Sequence, residues 1–112
     1  MNKQLSPSEL QKKPLEEVIM NPTWWAQRIE TAVKDGMKAL FELQIQLSKI
    51  EGPIARAREC HVFLALDKPK EAAKVIEGET HNLCKAMYLS VRMHNGTLED
   101  YLYVASQPEK LI

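Results

Sequence analysis

Four side chains in this sequence could hold a soft metal ion or generate a thiolate: Cys60 and His61, side by side, and His81 and Cys84, three residues apart. Their number matches a structural zinc site, which takes four N or S donors in a tetrahedral array. Their spacing argues against one. Adjacent residues on a helix diverge by about 100°, so Cys60 and His61 do not converge on one ion. Cys84 falls within an apolar stripe, where free cysteine serves as a small buried hydrophobe. A Cys-His pair could instead activate a nucleophile, but that needs an exposed, electropositive cysteine with a histidine in reach, and His81 and Cys84 share only helix spacing. His94 lies on the apolar side of the last turn of the same helical pattern, where a cation near a helix C-terminus explains it. No glycine-rich phosphate loop, metalloprotease helix motif or nucleophile elbow occurs. The chain is therefore expected not to be an enzyme, with no cofactor, no metal and no small-molecule substrate inferred; a small zinc or thiol protein is the alternative that these four residues carry.

A second set could meet phosphate. Lys70, Lys74, His81, Lys85 and Arg92 fall within about 60° of arc on a continuous helix, with Tyr88 among them. Such a ridge would run about 33 Å, long enough to follow a nucleic-acid backbone or an acidic groove. Glu77 at its edge partly neutralises it, and no helix-turn-helix, zinc finger or aromatic single-strand motif accompanies it. A nucleic-acid-associated factor using Lys70, Lys74, Lys85 and Arg92 is accordingly an alternative reading.

The leading reading comes from apolar residues. Met37, Phe41 and Ile45, each four apart, lie beside the main apolar face of a helical segment and widen it, while Trp24 falls on that segment's polar side. A helix packed on a single neighbour needs only about a third of its circumference apolar. The extra width implies either cover from the N-terminal arm or a C-terminal short helix, or an interface for a protein partner or a second copy; aromatic and methionine side chains are enriched at such interfaces. Trp24, Met37, Phe41 and Ile45 are the expected partner-binding residues of an interaction or regulatory protein.

The elements that must position these groups read as helical. Ser6-Pro7-Ser8-Glu9 is a capping-box start, interrupted by Lys12-Lys13-Pro14, so residues 1–21 form a packing arm ending at Asn21-Pro22. From Trp24 to Ile50 apolar residues recur at steps of three and four, which predicts one helix about 40 Å long. Gly36 lies on its apolar face, where glycine costs roughly 1 kcal/mol against alanine, so a close-crossing helix is expected there. Gly52-Pro53 ends it. Pro53 to Leu66 is apolar around the whole wheel and reads as a buried helix, although Val62 to Leu66 would also suit a strand. Asp67-Lys68-Pro69 supplies a cap and a first-turn proline for a second long helix, Pro69 to His94. Asn95-Gly96 would stop it, with a short helix restarting at Thr97; alternatively, Met87 to His94 and Thr97 to Ala105 form a β-hairpin around Asn95-Gly96.

The expected fold is thus an all-α bundle of four to five helices built on two long amphipathic ones, with an α+β fold carrying the C-terminal hairpin as the alternative. A length of 112 residues suits a single domain with one core, divided into the arm at 1–21, a helical core at 22–106 and a tail at 107–112. With 45% hydrophobic and 27% charged residues and zero formal charge, composition is that of an ordered globular chain with no overall pull toward nucleic acid or anionic lipid. The longest apolar run is far short of the roughly 20 residues a membrane span needs, and the N-terminal residues lack a signal-peptide apolar region. A soluble, cytoplasmic protein that does not engage membranes, with both cysteines reduced, is expected.

Overall fold

The computed structural model describes residues 4–95, with side chains described as far as Met93. Punctuation in the sequence sets most of the helix boundaries. Ser6 caps α1 (Pro7–Lys12) through a reciprocal box in which the Glu9 amide donates to Ser6 Oγ at 3.3 Å and the Ser6 amide donates to Glu9 Oε1 at 3.0 Å. Pro14 forbids helical geometry at the residue before it, and Lys13 is extended. A single turn follows as α2 (Leu15–Val18). Asn21 Oδ1 then accepts from the amides of Thr23 and Trp24 at 3.0 and 3.2 Å, opening α3 (Pro22–Asp35) with Pro22 in its first turn.

The single long helix expected from Trp24 to Ile50 is two helices. Gly36 adopts φ 104°, ψ −177°, ending α3 and opening α4 (Met37–Ser48). That conformation is essentially restricted to glycine. No atom lies within 4 Å of where a Gly36 Cβ would sit, so the residue is present for its backbone and not for the close helix crossing its position suggested. The pieces are about 21 and 18 Å long.

Gly52, at φ 106°, precedes α5 (Pro53–Ala65), which is the buried helix the sequence favours over a strand. Its wheel is apolar all round because it is flanked by apolar clusters on two sides. One cluster gathers Ile19, Trp25, Ile29, Ala32, Leu40, Leu43 and Leu47 against Ala55, Val62 and Leu66. The other gathers Ala72, Ile76, Cys84 and Val91 against Ala57 and Cys60. The one expected core is therefore divided by its central helix.

Asp67 is not the cap of the next helix. It holds φ 59° as the left-handed residue that terminates α5, with its own amide donating to Leu64 O at 3.0 Å and the Lys68 amide to Phe63 O at 2.8 Å. Both bonds of a Schellman motif are present, on an aspartate instead of the usual glycine. α6 (Pro69–Val75) follows, with Lys68 at its N-cap and no side-chain cap bond. The second expected long helix is also broken: Gly78, at φ 81°, lies in the turn between α6 and α7 (Asn82–Asn95). His81 starts α7 by accepting the Leu83 amide on Nδ1 at 3.0 Å. Met87 to Asn95 is helical, which removes the first strand of the alternative hairpin; Gly96, the short helix expected from Thr97 and the tail lie outside the described residues. Among those residues there are seven helices and no strand, an all-α bundle with shorter and more numerous elements than expected.

Long-range polar bonds place the arm. Leu5 and Gln27 exchange two hydrogen bonds, at 3.1 and 2.8 Å. Arg58 Nε donates to Ile19 O at 3.0 Å, with its guanidinium 5.6 Å from the Trp25 ring centre. Trp25 Nε1 donates to His61 Nδ1 at 3.1 Å, tying α3 to α5. Because Nδ1 is the acceptor, His61 is neutral with its proton on Nε2. Burial foremost, and then the nearby Arg58 charge, hold its pKa below the ordinary 6.5.

Two outcomes follow. Gly36→Ala is expected to destabilise the chain by about 1–3 kcal/mol in urea unfolding, whereas a continuous helix would make the same change stabilising by about 1 kcal/mol. Below pH 6.5 the unfolded chain takes up a proton at His61 that the native state refuses until its own lower pKa is reached. Stability is therefore expected to fall as pH drops through that window and to be flat in this respect above it. His61→Gln should remove that part of the slope when unfolding free energies are compared between pH 7.5 and pH 5.5.

Candidate functional site

The rotation of α4 about its own axis decides which of its apolar residues meet water. Leu40, Leu43 and Leu47 enter the first cluster and are almost fully buried. Beside them Gln44 also turns inward, donating from Nε2 to Glu59 Oε2 at 2.8 Å. Glu59, on α5, is only 5% exposed. Its other oxygen lies 3.3 Å from Arg56 Nε as an ion pair. Arg56 reaches back with Nη2 to the Leu47 carbonyl and, at 2.7 Å, to the Ile50 carbonyl. Leu47, in the last turn of α4, also accepts from the Ile50 amide at 3.0 Å, whereas Ile50 lies just past the helix in the turn to α5. One arginine thus caps α4 from α5, one glutamate balances its charge, and one glutamine completes the glutamate.

With that face turned in, Met37, Phe41 and Ile45 are turned out, at 61%, 37% and 51% exposure. They occupy i, i+4 and i+8 of α4 and span about 12 Å along it. Val33, near the end of α3 and four residues before Met37, is 54% exposed. The N-terminal arm, one of the two elements expected to cover this stripe, packs elsewhere: Leu10, Val18 and Ile19 are buried, and α2 lies against α3. The other, the C-terminal short helix, is outside the described residues. Lys68 sets its ammonium 5.9 Å from the centre of the Phe41 ring, an attraction between cation and ring face. The end of α5 and the Asp67 turn bring it there, a placement that no local pattern indicates.

Trp24 does not join this group. It lies at the opposite end of α3 from Gly36, half-buried, with Lys13 Nζ 4.9 Å from its ring centre.

The basic ridge is interrupted. Lys70 and Lys74 belong to α6, Lys85 and Arg92 to α7, and residues 76–81 between them are not α-helical, so a continuous 100° repeat does not relate the two pairs. Lys70 and Lys74 are exposed, while Lys85 and Arg92 are half-buried. Lys74, Lys85 and Tyr88 instead line a cavity of about 580 Å³ between α6 and α7 that also contains Glu77 and Glu79. Two carboxylates beside two ammoniums leave it without a net charge.

Cys60, His61, His81 and Cys84 do not converge on one point, and the His94 side chain lies outside the described residues. Cys60 and Cys84 are buried in the second cluster, whereas His61 bonds to Trp25 of the first and His81 caps α7. Among the described residues no group of three or more His, Cys, Asp or Glu could hold a metal. Burial pushes the Cys60 thiol up to about 12 and also raises that of Cys84, which donates to Pro53 O at 3.2 Å. A reactive cysteine needs the reverse, a lowered pKa. Among the described residues no helix is long and apolar enough to cross a membrane. Comparison with family models, with curated proteins and with solved structures finds no match.

If Arg56 and Glu59 set the rotation of α4, removing one partner should cost more than removing both. Arg56→Met leaves a buried carboxylate without its cation and the Ile50 carbonyl without its side-chain donor, and is expected to lose about 3 kcal/mol. Arg56→Met with Glu59→Met should recover part of that loss in a double-mutant cycle of urea unfolding, giving a positive coupling between the two sites.

Proposed function

We propose that this chain acts without catalysis, as an interaction protein that engages a macromolecular partner through the Met37, Phe41 and Ile45 face of α4. The observation that carries this reading is the exposure of three large apolar side chains in one row on a helix whose opposite side already lies in the core. Single exposed hydrophobes are ordinary on any protein surface and need no explanation. A row of them on one helix is different, because contiguous apolar area exposed to water promotes association and marks interfaces. Methionine and phenylalanine suit the role: the first adapts its shape to a partner, and the second brings a large area with few rotatable bonds.

The interrupted basic ridge gives the nucleic-acid reading no comparable support. Its four cations are divided between two helices, and two carboxylates stand among them. The high thiol pKa values likewise give a thiol-based reading nothing to build on.

Phe41→Asp tests the proposal. Phe41 is 37% exposed, so the change should cost about 1–2 kcal/mol of folding stability while circular dichroism shows an unchanged helical spectrum. Affinity capture from the native host with the two proteins in parallel should then lose a specific co-purifying macromolecule in the variant. Identical captured sets, with both proteins folded, would remove this face as the interaction surface.

A further inference from the structure

We infer that the occupant of the α4 face is an amphipathic protein helix whose apolar stripe is flanked by acidic side chains. This rests on the reading of α4 as a docking face and adds the chemistry of what docks.

The row itself suggests a helix. Met37, Phe41 and Ile45 repeat every four residues along about 12 Å, a length and period that the i, i+3, i+4, i+7 anchors of a second helix can match. The flanks specify charge. On the α4 wheel Lys38 follows Ile45 by only about 20° and Lys49, just past the last turn, by about 40°. Glu42 lies about 60° from Ile45, further round toward solvent. Neither Lys38 nor Lys49 has an ion-pair partner among the described residues. On the other side of the row, α5 packs against α4 through the Gln44–Glu59 bond, and from that side Lys68 comes over Phe41. The apolar row is therefore bordered by Lys38 and Lys49 on one edge and by Lys68 on the other, with Glu42 set back from the first edge and the exposed Asp67 preceding Lys68 at the second. A partner helix with Asp or Glu on either side of its apolar stripe would neutralise both borders as it buried the row, which steers encounter and excludes basic competitors.

A second copy of this chain fits less well. A two-fold pairing of face on face passes near Phe41, the middle of the row, and brings Lys68 against its own symmetry mate. An anionic bilayer would match the charge. An interfacial helix, however, buries its main apolar face in the headgroup boundary, and α4 already commits Leu40, Leu43 and Leu47 to the core.

The test is a selection from a displayed library of random amphipathic helical peptides on three baits: the wild-type chain, Phe41→Asp, and Lys38→Glu/Lys49→Glu/Lys68→Glu. The wild type should enrich peptides with Asp or Glu bordering an apolar stripe, and Phe41→Asp should enrich none of them. A selected acidic peptide, measured by fluorescence anisotropy, should bind the triple variant about tenfold or more weakly and lose affinity with added salt. Enrichment of neutral or lysine-flanked peptides that still requires Phe41 would overturn the acidic partner while leaving α4 as a docking face. A Phe41-dependent dimer in sedimentation equilibrium, or Phe41-dependent pelleting with phosphatidylserine vesicles, in either case without peptide enrichment, would overturn it in the same way. Binding of no probe in a Phe41-dependent manner would overturn both readings.

Discussion

Arg56 sits where α4 ends and α5 begins, and most of the arrangement hangs on what it must satisfy. The last carbonyls of a helix lack the i+4 amide that interior ones have, and at the end of α4 those of Gln46 and Leu47 accept instead from the Lys49 and Ile50 amides. Arg56 adds a donor to the Leu47 carbonyl and supplies one to the carbonyl of Ile50 just beyond the helix. A half-buried guanidinium then needs a counter-charge, which Glu59 provides one turn along α5. A carboxylate 5% exposed needs further donors, and Gln44 supplies one. Each group is tolerable only because the next is present. The chain of requirements joins α4 to α5 at one angle about the α4 axis.

That angle has a consequence for the surface. With Gln44 pointed at α5 and Leu40, Leu43 and Leu47 in the core, Met37, Phe41 and Ile45 have no inward course. Rotating α4 to hide them would break the Gln44–Glu59 bond and expose leucines, so the apolar row outside is held in place by the polar network inside. The Asp67 turn closes the same region from the other end of α5, and its left-handed backbone sends Lys68 back across Phe41. Apolar row and basic border are thus consequences of one helix pair.

α5 also explains how so small a chain orders its interior. It is covered on two sides, by α3 and α4 through Ala55, Val62 and Leu66 and by α6 and α7 through Ala57 and Cys60. Alanines at these positions let neighbouring helices approach closely. The flanking helices are short because each must fold back over α5, and the glycines at 36, 52 and 78, all at positive φ, lie at these turns. Burial against this middle layer also raises both thiol pKa values and lowers that of His61.

Much of this was legible along the chain, for a local reason. Capping groups act over three or four residues, so Ser6 with Glu9, Asn21 with Pro22, and Gly52 with Pro53 mark helix ends without reference to anything distant. The all-round apolar wheel of 53–66 likewise announces a helix buried on several sides. The breaks at Gly36 and Gly78 were hidden, because two helices folded against the same core keep a common pattern of buried positions, and periodicity reports burial rather than an unbroken backbone. The basic ridge failed with that continuity. The excess width of the apolar arc at Met37, Phe41 and Ile45 could be seen in the order of residues alone. Whether water or protein lies over it depends on where the arm packs, how Arg56 and Glu59 turn α4, and how Asp67 redirects Lys68. Those contacts join residues far apart in the chain, 27 positions for Phe41 and Lys68 and 39 for Ile19 and Arg58, and they are settled only by the folded arrangement of helices, where burial and charge pairing are decided together.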